Sequence, residues 1–146
     1  MESRTIAVSV LIIALVVGGA GAVTFSGVLA QTNDAPYGKA ISFVAFCGVE
    51  DVDQGDVTIN SVMEDADGEA VAVNYTVSTG LDNLTYKAGT EIRDVHNPPS
   101  SGTVTTGDGI LNNALSPQNP CPTGQSGVKY GNYDNVTGEF QQIEEV

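Results

Sequence analysis

From Val57 onward the chain alternates: Val57, Ile59, Ser61 and Met63 fall on one side of an extended backbone, and Thr58, Asn60, Val62 and Glu64 on the other. A period of two belongs to a half-buried strand. Asp65-Ala66-Asp67-Gly68 then supplies the Asp-Gly pair that favours a tight turn, and Val71, Val73, Tyr75 and Val77 resume the alternation against Ala72, Asn74 and Thr76. The spacing predicts a hairpin. Upstream, Ile41-Ser42-Phe43-Val44-Ala45-Phe46-Cys47 is almost continuously apolar, as in a strand covered on both faces or lying at a sheet centre. Downstream, residues 83–87 alternate with Leu84 and Tyr86 inward, and shorter strands follow at 91–95, 102–106, 127–130 and 139–143. The last pair flanks an Asn135-Val136-Thr137-Gly138 turn. Residues 111–127 hold Pro117, Pro120, Pro122 and Cys121 and read as a long irregular connection. With no amphipathic helix and seven or eight short strands, the pattern predicts an all-β domain, a single Ig-like or jelly-roll β-sandwich.

The N-terminal pattern is of another kind. No charged side chain occurs between Arg4 and Asp34, and residues 6–23 are almost entirely Ile, Leu, Val, Ala and Gly. Such a run matches a secretory signal or a membrane anchor. As a helix, residues 5–33 would reach about 43 Å, more than the roughly 30 Å of hydrocarbon in a bilayer. The small-residue sites Ala20-Gly21-Ala22 and Val28-Leu29-Ala30, with Gly18 and Gly19 ahead of them, favour cleavage over retention. Residues 1–30 are therefore expected to be a signal peptide or membrane anchor, and 31–146 the β-sandwich domain. The expected location is extracellular or at the cell surface, with membrane contact through the N-terminal segment where it is uncleaved.

Charge sharpens this picture. After residue 30, 17 acidic groups face only Lys39, Lys87, Arg93 and Lys129, a net charge of −13. Nucleic acid is excluded as a partner, because binding it requires Lys and Arg to neutralise phosphates. Self-repulsion of this size fades at molar salt, where the Debye length is about 3 Å, so the composition points to a halophilic setting. Cys47 and Cys121 are the only cysteines, and in an exported chain they are expected to form one disulfide. A single histidine leaves them short of a zinc ligand set.

Three sequons, at Asn74, Asn83 and Asn135, are N-glycan acceptors in an exported protein. Alternation places Asn74 with Thr76, and Asn83 with Thr85, on the polar side of their strands, where modification needs them. Asp51, Asp53 and Asp56 could offer calcium oxygen ligands from a tight turn, although their glycine falls one place early for a calcium loop. A solvated acidic turn is the plainer reading, and no cofactor is expected. Asp94, His96 and a turn carboxylate are the nearest approach to a metal-dependent hydrolase, but no nucleophile motif or phosphate-cradling glycine loop accompanies them. No catalytic residue is assigned and no enzyme activity is expected.

The leader Leu15-Val16-Val17-Gly18-Gly19-Ala20-Gly21-Ala22-Val23-Thr24-Phe25-Ser26 resembles those of exported surface proteins processed by SipW-type signal peptidases, the TasA and camelysin group. With residues 42–47 and the Cys121…Ser126-Gly127-Val128-Lys129-Tyr130 ending, the chain is also similar to small exported β-proteins of halophilic archaea. The resemblance implies a sandwich fold and, for the TasA group, filaments built by donating a strand to the next subunit. The expectation is a cell-surface structural protein, a filament or envelope subunit that associates with itself or with other surface proteins. Residues 23–39 would pair with a neighbour's sheet edge, and Val23, Phe25, Val28 and Leu29 would fill its pockets. Cleavage after Ala30 would instead leave a monomeric secreted adhesion or binding module, and retention of the leader a membrane-anchored one.

Overall fold

The computed structural model describes residues 39–146, so the expected signal or anchor at 1–30 lies outside the described residues. Nine strands follow: β1 (Ile41–Gly48), β2 (Val57–Glu64), β3 (Ala70–Val77), β4 (Asn83–Ala88), β5 (Glu91–His96), β6 (Ser101–Thr105), β7 (Ile110–Leu111), β8 (Ser126–Asp134) and β9 (Glu139–Glu145). They form a six-stranded sheet in the order β7-β5-β4-β1-β8-β9 and a three-stranded sheet in the order β2-β3-β6. Every pairing is antiparallel. The fold is the expected all-β sandwich, with one or two more strands than the alternation predicts. Among the described residues no helix is long and apolar enough to cross a membrane.

β1 is the central strand, hydrogen-bonded to β4 on one side and β8 on the other. Val44 and Phe46 face the core between the sheets, while Phe43, Ala45 and Cys47 face outward into a second apolar cluster with Ile92, Leu115 and Cys121. This double burial is why the strand carries no alternation. Phe46 is fully buried, its ring 5.2 Å from that of Tyr75 in the facing sheet and 5.9 Å from that of Tyr130 beside it. Truncating a phenylalanine so enclosed costs about 3–5 kcal/mol.

The β2–β3 hairpin closes as its sequence requires. Asp65 Oδ1 accepts from the amides of Asp67 and Glu69, the Asp65 amide donates to the Glu69 carbonyl, and Gly68 takes φ +80°. Only the facing within β2 departs from the simple alternation. The register passes from Ile59↔Tyr75 to Ser61↔Asn74, leaving Asn60 as a bulge. An extra residue reverses the side to which the following side chains point. Val62, rather than Ser61 or Met63, therefore packs with Ile59 against the core.

The irregular stretch contains one element that its prolines conceal, the two-residue strand β7 on the edge of β5. Beyond it, residues 112–125 lie over the outer face of the larger sheet. The Cys47–Cys121 disulfide joins this loop to the sheet centre, with Cα atoms 5.6 Å apart and a separation of 74 in sequence.

Candidate functional site

Two places combine shape with chemistry, the first on the outer face of the six-stranded sheet beneath the 112–125 loop. Pairing aligns Cys47 with Asn83 and Asn83 with His96, and in the next row Ala45 with Thr85 and Thr85 with Asp94. Leu84, Tyr86 and Val95 pack into the main core, so the alternate positions Asn83, Thr85 and Asp94 occupy the outer face. There the loop covers them: Asn83, Thr85 and Asp94 are all buried. Asn83 Nδ2 donates to Asp94 Oδ1 at 2.8 Å and meets His96 Nδ1 at 2.9 Å, and Gln125 Nε2 donates to Asn83 Oδ1 at 2.7 Å. Asn112 Nδ2 reaches Asp94 Oδ2 at 3.4 Å, and His96 Nε2 lies 3.7 Å from the same oxygen. Beside this cluster the loop borders an open pocket of about 540 Å³ lined by Asn112, Leu115, Asn119, Cys121, Pro122 and Gln125 among others.

The second place is the open side of the sandwich. Three strands cannot cover six, and the inner face of β9 extends past the edge of β2. Ile143 pairs with Tyr130, and Phe140 with Tyr133, on that inner face. A groove of about 360 Å³ runs between the two edges, lined by Val57, Ile59, Tyr130, Phe140 and Ile143 with Gln54, Thr58 and Glu139 at its polar margin. Ile143 is 41% exposed within it. β2 and β9 each end their sheet, so main-chain donors and acceptors line both margins. The β9 margin is acidic through Glu139, Glu144 and Glu145; the β2 margin is regular from Val57 to Ile59, before the bulge.

The candidate residues are distributed unevenly. Asn135 is exposed in the β8–β9 turn, next to Val136 at 90% exposure. Asn74 is half-buried on β3, its Nδ2 donating to Thr103 Oγ1 at 2.8 Å while Thr76 is exposed. Asn83 corrects the expectation of exposure: it is 4% exposed, with Nδ2 committed to Asp94 and His96, because the polar side of β4 lies under the stapled loop. The three turn carboxylates do not converge. Asp51 Oδ1 accepts from Ser126 Oγ, while Asp56 accepts from the Asp53 amide and from Ser78 Oγ, pinning the Gln54–Asp56 turn to the end of β3. Among the described residues no group of three or more His, Cys, Asp or Glu is placed to hold a metal. Asp94 and His96 are together, but within an amide network that alternation did not reveal.

No protein-family model, no curated protein and no solved structure matches this chain.

Proposed function

We propose that the protein is a cell-surface structural subunit whose copies are joined when residues 23–39 of one copy enter the groove between β2 and β9 of the next. The observation that carries this reading is the groove itself. A trough with apolar residues at its floor and polar ones at its margin, bounded by two free strand edges, offers main-chain bonds for affinity and a slot for alternate side chains. Val23, Phe25 and Leu29 share one side of an extended chain with Gly27, a spacing that suits the Val57, Ile59, Phe140 and Ile143 lining.

The test is electron microscopy and sedimentation of the exported protein at high salt. Filaments or oligomers are expected for the native chain, and monomers after deletion of residues 23–30 or after Ile143→Lys, with the melting temperature of the Ile143 variant nearly unchanged. Assemblies that persist in both variants, or a mature N-terminus beginning at Gln31, would overturn the reading and leave a monomeric binding module.

A further inference from the structure

The amide network under the stapled loop leaves two atoms unpartnered. Thr85 Oγ1 and Gln125 Oε1 are both buried and neither has a hydrogen-bond partner. Thr85 is 0% exposed and stands directly opposite Asp94 across the β4–β5 pair, on the same face. Side chains so paired have Cβ atoms about 5 Å apart, close enough to share one ligand. Gln125 reaches the same cluster from above, its amide nitrogen spent on Asn83 and its oxygen left over.

The nearby charge is also incompletely answered. Asp94 is 1% exposed, and its partners are the neutral amides of Asn83 and Asn112 and the ring of His96. Asn83 Nδ2 gives one hydrogen to the carboxylate and turns toward His96 Nδ1 as well. Arg93 belongs to the other face of β5, beside Glu91 and the Gly107 and Gly109 carbonyls. A buried carboxylate answered chiefly by neutral dipoles is costly, and a cation relieves that cost.

We propose that Asp94, Thr85 Oγ1 and Gln125 Oε1 together ligate a small hard cation, sodium or calcium, beneath the 112–125 loop. The donors are all oxygen, the set that suits such ions and suits zinc or copper poorly. One carboxylate among neutral oxygens makes a low-affinity site, which fills only in ion-rich surroundings. Once filled, it ties β4 and β5 to the loop at a second point beside the disulfide. The site does not depend on assembly through the β2–β9 groove.

Thermal unfolding of the intact disulfide-bonded protein tests this at one fixed ionic strength, with sodium chloride or millimolar calcium chloride replacing choline chloride, whose cation is too large to enter. Above saturation, each tenfold rise in the bound ion should raise the melting temperature by about 6 °C for a domain of this size. The rise should vanish in Asp94→Asn and in Thr85→Val and persist in Asp108→Asn, an exposed control. If Asp94→Asn does not fold, Thr85→Val decides alone, and equilibrium dialysis of the native protein should give one calcium per chain. Equal melting temperatures in all three salts would mean that solvent alone fills the pocket and would overturn the proposal. So would an ion-specific rise that survives Thr85→Val.

Discussion

Replacing Cys47 and Cys121 by alanine removes the single covalent link between the sheet centre and the loop above it. With the bridged positions 74 apart in sequence, the chain-entropy model gives about 4.5 kcal/mol of stabilisation through the unfolded state. A domain of 108 described residues has an unfolding entropy near 0.23 kcal/mol/K, so the melting temperature should fall by about 20 °C. Calorimetry of the double variant against the oxidised native protein, both in the same salt, measures the shift. Hydrogen exchange adds a local readout: amides of residues 112–125 should lose protection first, since besides the bridge the loop has little apolar anchoring beyond the buried Pro120 and the packing of Leu115 with Phe43, Ala45 and Ile92. A shift below about 5 °C with loop protection unchanged would refute the argument, because the loop would then be held by its hydrogen bonds and not by the bridge.

Other perturbations follow from particular contacts. At Gly127 a Cβ would stand 1.9 Å from the Phe46 carbonyl oxygen, so Gly127→Ala should cost about 3 kcal/mol or more and abolish soluble yield or sharply lower the melting temperature. Burial raises the hydroxyl pKa of Tyr75, Tyr86, Tyr130 and Tyr133, and Glu64 raises that of Tyr133 further. The folded chain then keeps protons that the unfolded chain releases above about pH 10, so stability should hold below that pH and fall as it is exceeded. Tyr133→Phe should flatten that fall in pH-dependent denaturant titrations. Expressed in a host that glycosylates exported chains, Asn135→Gln should lose one glycan by intact mass. Asn83→Gln should leave the mass pattern of glycoforms unchanged while lowering stability by about 1–3 kcal/mol through the broken buried network.

Much of this architecture is written in period-two patterning. The alternation from Val57 and from Val71, and the Asp-Gly turn between them, leave one extended hairpin as the consistent outcome, and the unbroken apolar run at 41–47 marks the central strand. What escaped is whatever depends on covering. Polar residues alternating with Leu84 and Tyr86 resemble a solvent face, and nothing local to Asn83 says otherwise. The signal lay at a distance: a proline-rich connection bonded to Cys47 must rest on the face toward which Cys47 points, and Asn83 is its neighbour there. The bulge at Asn60 was hidden because an inserted residue carries no signature of its own. The β2–β9 groove arises from unequal sheet widths, a property of strand order that local periodicity does not encode.

The cross-link between β1 and the late loop has a bearing on attack by proteases, which cut exposed turns. A single peptide cleavage anywhere between Gly48 and Pro120 leaves both fragments on one molecule, the earlier piece through Cys47 and the later one through Cys121. Damage at the β2–β3 or β4–β5 turn would thus be repaired in effect by proximity, the severed strands re-pairing where they already lie. A nicked copy would run at full size on a gel until the sample is reduced.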